Sequence, residues 1–427
     1  MATTAPKSLR EASCADDYDP NSMPVAKARE LIASFLAPVT AVERVHVRSA
    51  LGRVLAAEVV SPIAVPGHDN SAMDGYAVRF ADLAADGETL LKRVGESFAG
   101  KPWHGSIGAG ECVRIFTGGV MPPGADSVVM QERAREDERG VHVAAGAVAK
   151  AGTNRRFAGE DLKQGQTVFR AGQRVRPAEL GMIASLGIGE VSVYRKLRVA
   201  FFSTGDELKS IGTALAAGEI YDSNRYTLHG MLTRLACEIV DMGVVEDAPD
   251  KLERAFATAA EASDVIITSG GVSVGEADYV KQLLDKLGEV LFWKIAMKPG
   301  RPLAYGKIGR AHFFGLPGNP VSVMVTFYEF VRDALLTLQG QRDIRPPPSF
   351  KVPLSAPIRK APGRTEFQRG ILSADGAGGW TVRTTGDQGS GILSSMSQAD
   401  CFIVLPSETG NVAAGELVDV QLLEGLI

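Results

Sequence analysis

Several features that would indicate a disulfide framework or a zinc site are scarce or missing in this sequence. The chain has four cysteines, and no two of them form a CxxC pair: Cys14, Cys112, Cys237 and Cys401. Such widely separated cysteines argue against both a disulfide framework and a structural zinc site. The six histidines show no HExxH or comparable ligand spacing. Any metal chemistry must therefore use carboxylates.

Long apolar runs and an excess of positive charge are missing as well. No stretch reaches the ~20 apolar residues that a membrane helix needs, and the polar, acidic N-terminus differs from a secretory signal. We interpret residues 1–23 as a disordered leader, and we expect a cytoplasmic protein that binds no membrane. The net charge of −4 provides no basic field for nucleic acid. An anionic substrate must therefore be bound by a local group of lysines and arginines.

The first half of the chain predicts two domains, one inserted into the other. Residues 24–60 and 155–194 predict a discontinuous linking domain, with a helix that has Pro24 at its first position. We expect the second segment, which contains PAELGMIASLG, to pack back against that helix. Residues 61–154 contain short β-branched runs separated by glycine and proline turns. They predict an inserted β-rich domain.

The second half predicts an α/β domain followed by a small barrel, so the fold class is α/β multidomain. In residues 195–340 apolar strands alternate with helices, which predicts a three-layer domain with a parallel sheet covered on both faces. Ligands of such sheets bind at the carboxyl ends of the strands. Residues 341–350 are rich in proline and predict a linker. Residues 351–427 predict a C-terminal β barrel.

A glycine-rich turn follows one strand of the predicted α/β domain. It contains Ser269, Gly270, Gly271, Ser273 and Gly275, and a helix follows near Asp278. Glycines let backbone amides approach an anion, and the helix N-terminus adds the positive end of its dipole. The turn therefore indicates a site for phosphate or another oxyanion, although glycines serve plain tight turns about as often.

Three cations follow the strand that contains VLFW, namely Lys294, Lys298 and Arg301. Because this apolar strand belongs to the predicted sheet, the cations should emerge at the edge where ligands bind. A charged loop in solvent is the commoner role of a lysine cluster. We interpret these three residues as binding an anionic substrate.

A loop with two prolines joins the last strand of the domain to its last helix. Pro317, Gly318 and Pro320 fix the shape of this loop before a ligand arrives, which lowers the ordering cost of binding. The same residues also make a good strand-to-helix turn, with Pro320 near the first helical position. The two roles are compatible.

Acidic residues follow directly after several strands of the predicted α/β domain. Asp206 and Glu207 follow the first strand and Asp247 follows the second, while Asp161 stands earlier in the chain, in GED. With Asp278, these oxygen ligands suit Mg²⁺, which binds one or two carboxylates plus substrate oxygens. Taken singly, each acid is more often a helix cap or a surface charge. Their shared position at strand ends favours the metal interpretation.

Two sequence motifs in the predicted inserted domain match no general binding or catalytic pattern. One is DNSAMDGYA, which contains Asp69 and Asp74, and the other is TGGVMPPGAD, which begins at Thr117. From these residues alone we predict a turn with two acids.

Taken together, the strings resemble those of one family. The sequence resembles the molybdopterin molybdenumtransferases of the MoeA type, a family that includes the E domain of gephyrin. The matching strings stand in family order over residues 24–425: PGHDNSAMDGYA, TGGVMPPGAD, GED, STGDEL, YDSNR, SGGVSVGEADY, FWKIAMKPGRP, GLPGNPVS, PGRTEFQRG and GDQGS. One departure is His68, where the family often has an aromatic residue.

The resemblance implies an elongated homodimer of four-domain subunits. Its active site would lie between the α/β and barrel domains of one subunit and the inserted domain of the other. By motif match, the implied catalytic residues are Asp69, Asp74, Thr117, Asp161, Glu207, Asp247 and Asp278. The implied substrate-binding residues include Lys294, Lys298, Pro317, Pro320, Arg369 and Ser390. Glu207, Asp247 and Asp278 are the expected metal ligands.

The implied reaction inserts molybdate into the dithiolene of adenylylated molybdopterin and releases AMP. Lys294, Lys298 and Arg369 would supply fixed positive charge for the anionic partners, and Mg²⁺ would act as a Lewis acid. Expected partners, besides a second copy of the chain, are the molybdopterin adenylyltransferase and proteins that load molybdoenzymes.

Two other functions compete with this interpretation. A molybdopterin adenylyltransferase resembles residues 195–340 alone, but it would not need the inserted domain, the barrel or PGRTEFQRG. A non-catalytic dimeric scaffold would be free to lose Asp161, Asp278 and Lys294, and all three are present.

Overall fold

A computed structural model describes residues 22–271 and 278–423 of the chain. In residues 22–195 the helices are α1 (Val25–Ser34) and α2 (Pro177–Ser185). The strands of this part are β1 (Val42–His46), β2 (Val59–Val60), β3 (Asn70–Ser71), β4 (Gly75–Val78), β5 (Thr89–Ser97), β6 (Glu111–Ile115), β7 (Ser127–Met130), β8 (Ala134–Asp137), β9 (Gly140–Val143), β10 (Arg155–Arg156), β11 (Thr167–Phe169) and β12 (Glu190–Tyr194).

Two antiparallel pairs bring residues 42–60 next to residues 167–194. Strand β1 pairs with β12, so that Val42 lies opposite Tyr194, and β2 pairs with β11. Apolar side chains of both segments, among them Val47 and Ile183, form one buried cluster. The residues between the two segments therefore leave this unit and return to it.

Helix α1 packs elsewhere, which corrects the prediction that α2 packs against it. Its buried residues Ala28, Leu31 and Ile32 belong to the main core of the α/β domain, whereas α2 belongs to the cluster around Val47. Pro24 is the residue before the helix, not its first helical residue. Arg29 secures α1 because it pairs with the buried carboxylate of Glu329 and donates to the Glu329 carbonyl at 2.9 Å.

The residues between β3 and β10 form a β-rich unit around one six-stranded sheet, in the order β7-β4-β6-β5-β9-β8. Side chains of a strand alternate between the two faces of a sheet. In β4, Tyr76 and Val78 accordingly enter one buried cluster and Ala77 enters another. Both faces of the sheet are covered by this unit's own residues.

Residues 198–338 form the α/β domain. Its helices are α3 (Ser223–Arg234), α4 (Pro249–Ala262), α5 (Asp278–Leu287), α6 (Pro320–Thr326) and α7 (Arg332–Leu338), and a π-helical turn at Phe327–Val331 joins the last two. Its strands are β13 (Arg198–Thr204), β14 (Leu208–Lys209), β15 (Ile220–Tyr221), β16 (Glu238–Val245), β17 (Val265–Ser269), β18 (Gly288–Lys294), β19 (Met297–Lys298), β20 (Pro302–Ile308) and β21 (Ala311–Leu316).

The central sheet of this domain is mixed, whereas the sequence predicted a parallel one. Its order is β16-β13-β17-β21-β20-β18, and β20 runs antiparallel to both of its neighbours. Strand β18 therefore points the same way as the parallel strands, so the chain leaves it at their carboxyl edge. Apolar helices cover both faces, since Phe201 and Phe202 of β13 lie in different cores.

The C-terminal strands form a strongly curved sheet, a half-barrel, where the sequence predicted a small barrel. The elements are β22 (Ser349–Pro353), β23 (Thr365–Ala374), β24 (Trp380–Thr384), helix α8 (Leu393–Gln398), β25 (Cys401–Leu405) and β26 (Leu417–Leu422). The hydrogen-bonded order runs β24-β23-β25-β26-β22, and a bridge between Leu354 and Val382 joins its two ends. Strand β19 pairs with β23 and links the barrel to the α/β domain. In the described part of the chain, none of the helices combines the length and the apolar character needed to cross a bilayer.

Candidate functional site: a polar cleft between the sheet and the barrel

A cleft of about 1020 Å³ lies at the carboxyl edge of the α/β sheet. The residues that follow β13 and β17 line one side, and the residues that follow β21 line another. The barrel completes the cleft with the loop 388–391. Parallel strands end at a common edge, so residues far apart in sequence meet there. The sequence predicted this location.

The glycine turn forms part of the cleft wall, and the backbone conformation requires glycine at its first two glycine positions. Gly270 and Gly271 have φ values of +90° and +69°, which favour glycine. A Cβ atom on Gly270 would lie 2.5 Å from the Thr204 carbonyl oxygen. The Gly270 amide already donates to Leu316 O at 3.1 Å. Ser273 and Gly275 lie outside the described residues, so their predicted anion contacts stay predictions.

The proline loop lies beside the glycine turn, and a side chain that the sequence analysis did not select ties the two together. Pro317, Gly318 and Pro320 line the cleft. The Asn224 amide nitrogen donates to Ser269 Oγ at 2.8 Å and to Gly318 O at 2.6 Å. Asn224 belongs to YDSNR, which carried only the family resemblance. Its role becomes visible only when packing brings α3 against both loops.

Two of the three predicted cations line the cleft. Arg301 is exposed, and the half-exposed Lys298 lies 3.6 Å from the buried carboxylate of Glu366. Both emerge where β18 has ended, at the ligand edge. Lys294 is the last residue of β18 and is half-buried. It is not among the described residues that line the cleft.

The described residues that line the cleft include more acids than bases. Its described residues include the carboxylates of Asp206, Glu207, Asp222 and Asp247. Lys298 and Arg301 are the only lysine or arginine side chains among those same lining residues. An anionic substrate would therefore meet net negative charge here unless a cation came with it.

The three predicted metal ligands are only partly described. Glu207 and Asp247 both line the cleft, and Thr204 Oγ1 donates to Asp247 at 3.4 Å. Helix α5 begins at Asp278, but its side chain lies outside the described residues. Within residues 22–271 and 278–423, no three side chains of the usual ligand types cluster closely enough to hold a metal. A metal bound by these carboxylates would need further ligands, such as substrate oxygens or water.

Arg369 lies behind the cleft wall and does not line it. This differs from the prediction that its side chain contacts the anionic substrate. The side chain is fully buried, and burial lowers the pKa of its guanidinium. Its Nε donates to Ser395 Oγ at 2.9 Å and its Nη2 to Gly389 O at 3.0 Å. Arg369 thus holds the loop that contains Ser390, which lines the cleft and accepts a hydrogen bond from Val321 N at 3.1 Å.

This arrangement predicts that an Arg369→Met variant loses affinity by displacing the loop. The change should lower the free energy of unfolding by about 1–3 kcal/mol, because it leaves buried acceptors without their donor. The Michaelis constant should rise, while its dependence on salt concentration should match that of the wild type. Urea unfolding and a salt titration of the Michaelis constant measure the two effects. A shallower salt dependence in the variant would instead indicate direct contact with the substrate.

Three of the predicted residues form a second polar cluster in the inserted unit. Asp74 Oδ1 accepts hydrogen bonds from Thr117 N and Thr117 Oγ1, both at 2.8 Å, and these bonds lower the pKa of Asp74. Asp69 pairs with Arg155 and accepts from Ala158 N at 2.7 Å. Burial opposes ionisation of Asp69, but these two partners outweigh it, and its pKa is lowered. Both acids are therefore held as carboxylates.

Asp161, the fourth predicted residue of this region, is exposed in the loop after β10, and its amide donates to Val65 O at 3.1 Å. None of these four residues is among the described residues that line the cleft of the same chain. The structure therefore divides the predicted site residues into two groups.

The fold and the cleft together define a class. It comprises multidomain α/β proteins whose polar cleft, at the carboxyl edge of the sheet, is completed by a C-terminal β domain. Three family models match the chain in order. They are the MoeA N-terminal region (domain I and II) at residues 23–187, the probable molybdopterin binding domain at 200–337 and the MoeA C-terminal region (domain IV) at 351–423.

Similar proteins agree with these matches. A molybdopterin molybdenumtransferase of Haemophilus influenzae is 44% identical over 94% of this chain and 98% of its own length. Gephyrin of Dictyostelium discoideum is 34% identical over 89% of this chain and 59% of its own length. The crystal structure of a molybdopterin biosynthesis moeA protein from Pyrococcus horikoshii superposes with a TM-score of 0.80 at 29% identity, covering 94% of this chain and all of that one. The chain belongs to the MoeA family of molybdopterin molybdenumtransferases.

Proposed function

We propose that this chain is a molybdopterin molybdenumtransferase that inserts molybdate into adenylylated molybdopterin and releases AMP. The observation that carries the proposal is the composition of the cleft, in which a glycine turn, two cations and several carboxylates meet. Such a set can bind a phosphoanhydride together with a divalent cation. Family membership supports a molybdopterin-related substrate, and molybdate and the adenylyl group belong to the proposal.

The chain's own residues would bind and orient two anionic partners. In the reaction, an oxygen of molybdate or of water bonds to the adenylyl phosphorus, the anhydride bond breaks, and molybdopterin keeps its own phosphate as the leaving group. AMP carries the new oxygen away. Where molybdate supplied that oxygen, its Mo–O bond breaks as a dithiolene sulfur takes the place on molybdenum; where water supplied it, molybdate loses its oxygen as water when the sulfurs bind. Lys298 and Arg301, which line the cleft, would offset the phosphate charge. The rigid loop at Pro317–Pro320 would limit the ordering cost of binding. The dithiolene sulfurs bind molybdenum themselves, so no protein nucleophile is needed.

Magnesium fits the donor set of this cleft. The candidate ligands Glu207, Asp247 and Asp278 offer carboxylate oxygens, the ligand type that Mg²⁺ prefers, and Mg²⁺ usually takes its remaining ligands from phosphate and water. Bound there, Mg²⁺ would act as a Lewis acid on the phosphoanhydride. The excess of carboxylates over cations in the described lining supports this role.

Product analysis tests the function directly. Purified protein incubated with adenylylated molybdopterin, molybdate and Mg²⁺ should release AMP and form active cofactor. A matched reaction with molybdopterin and ATP should give no adenylylated product, which separates this function from that of an adenylyltransferase. A scaffold without activity would do neither.

We further propose that the protein acts in the cytoplasm as a homodimer whose two sites are each shared between subunits. The two separate groups of site residues support this arrangement, because Asp69, Asp74, Thr117 and Asp161 lie apart from the cleft in one chain. The molybdopterin adenylyltransferase and molybdoenzyme-loading proteins are the partners we propose for substrate delivery and product transfer.

A change of Arg301 to Gln should weaken binding of the anionic substrate about tenfold. A hydrogen bond to a charged group contributes about 1.5–3 kcal/mol, and 1.4 kcal/mol corresponds to a tenfold change. The affinity that remains should depend less on salt, since one charge interaction is gone. The matched control is Arg310→Gln, which removes an exposed arginine at the opposite edge of the sheet. Equal salt dependence in the two variants would contradict a role for Arg301 in the cleft.

A further inference from the structure

Two buried acceptor oxygens lie at the cleft where helix α3 begins. Asp222 precedes the helix and Asn224 is its second residue. Both side chains line the cleft, and they are 3% and 8% exposed. Neither residue was assigned a role by the motifs discussed above.

The amide of Asn224 has a fixed orientation. Its nitrogen donates to Ser269 Oγ and to Gly318 O, and a carbonyl can only accept, so the nitrogen must face the two loops. Asn224 Oδ1 therefore points away from them. Among the described residues, no donor reaches this buried oxygen.

Asp222 presents a second acceptor of the same kind. Its Oδ1 caps helix α3 by accepting from Arg225 N at 3.1 Å. Its Oδ2 is buried, and no donor in the described part of the chain reaches it. Buried polar atoms are nearly always paired in folded proteins. Within the described residues, then, two acceptors that lie two residues apart at one cleft have no donor, and a ligand can supply one.

The chemistry of the pair selects which part of a ligand it can bind. Both oxygens only accept, and Asp222 adds negative charge, so the pair disfavours phosphate and favours O–H or N–H groups. The proposed phosphate-binding residues, Arg301 and Lys298, line the cleft from the segment that follows β18 and not from the start of α3. Side-chain carboxylates bind ribose hydroxyls in other α/β folds.

We propose that Asp222 and Asn224 form an acceptor pair that binds hydrogen-bond donors of the uncharged part of the substrate. This inference rests on the proposed function. Two parts of adenylylated molybdopterin offer the required donors: the vicinal hydroxyls of its ribose and the N–H edge of its pterin. Because Asn224 also ties the glycine turn to the proline loop, the pair would fix this uncharged end relative to the phosphate-binding loops.

The decisive variant is Asp222→Asn. Asparagine still caps the helix through its carbonyl oxygen, but its amide nitrogen replaces the free acceptor with a donor. The Michaelis constant for adenylylated molybdopterin should rise about tenfold, with little change in turnover at saturation. The melting temperature should stay the same or rise, since an unpaired buried carboxylate oxygen is gone. The control is Glu238→Gln, which removes an exposed carboxylate at the opposite edge of the sheet. Asp222→Ser is a second variant, whose hydroxyl keeps the cap.

Calorimetric titrations with AMP, 2′-deoxy-AMP and inorganic pyrophosphate, all with Mg²⁺, identify the donor. Weaker AMP binding in Asp222→Asn, with no difference between the variant and wild type for 2′-deoxy-AMP, assigns the pair to ribose. Unchanged AMP binding with a raised Michaelis constant assigns it to the pterin. An unchanged Michaelis constant overturns the inference. So does an equal loss for pyrophosphate or a lowered melting temperature, because either result indicates structural damage. A wild type that neither binds nor converts adenylylated molybdopterin would reject the proposed function itself.

Discussion

An Asp278→Asn variant is expected to release AMP from adenylylated molybdopterin at least about a hundredfold more slowly than the wild type. Helix α5 begins at Asp278, after the turn that follows β17, so the residue stands at the same sheet edge as Glu207 and Asp247. Asparagine has nearly the same size but lacks the charge. The substitution should therefore remove a proposed Mg²⁺ ligand without disturbing the fold. The measurement is AMP release at several Mg²⁺ concentrations.

The control for this variant is Asp285→Asn, which changes an exposed acid on the same helix. Seven residues along a helix correspond to about 10 Å, so this acid stands away from the sheet edge. Its variant should keep the wild-type rate. If Asp278→Asn releases AMP at the normal rate in the presence of Mg²⁺, the role assigned to Asp278 is wrong.

The α/β domain was predictable because its strands and helices follow from local sequence patterns. Strands such as β13 and β17 are apolar runs bounded by turns, and both are buried in the structure. Parallel strands share one carboxyl edge, and the cleft lies at that edge. The sheet was predicted to be parallel because nothing in RPLAYGKI specifies that β20 pairs antiparallel with both neighbours. Pairing direction depends on the whole sheet and not on the strand alone.

Two further differences between prediction and structure also arise because a sequence pattern does not identify packing partners. The amphipathic pattern of α1 shows that one face is buried, but it does not identify the partner, and the structure places Ala28 and Leu31 in the α/β core. Likewise, a sequence does not distinguish a buried arginine from an exposed one. Arg369 was grouped with the cations of the cleft, yet it is enclosed beneath the loop that it supports.

The acceptor pair could not have been predicted from sequence for a different reason. Asp222 and Asn224 have the residue types of an ordinary helix start, and Asp222 does cap α3. What marks them is an absence of donors around two buried oxygens among the described residues. Such an absence depends on every neighbour that packs against the helix, so it exists only in the folded chain.

Mixing two inactive variants should restore about a quarter of the wild-type activity if the active site is shared between subunits. One variant is Thr117→Trp, which places a bulky side chain at an exposed position in the inserted unit. The other is Asp278→Ala, which removes the carboxylate at the start of α5. In a two-fold dimer with shared sites, each site takes Thr117 from one chain and Asp278 from the other. Either variant alone should then be inactive, because both of its sites carry one defect.

Exchange of subunits between the two variants changes how the two defects are distributed over the active sites. With random pairing, about half of the dimers become hybrids, and each hybrid has one site with both defects and one with neither. One good site of two in half of the dimers gives the expected quarter. If Thr117 and Asp278 acted in a site within one chain, every site of every dimer would keep a defect and mixing would restore nothing. The measurement is AMP release after exchange, with native mass spectrometry to show that hybrids have formed. Hybrids without activity would therefore reject the shared site, while a recovered quarter would place the inserted unit of one subunit at the cleft of its partner.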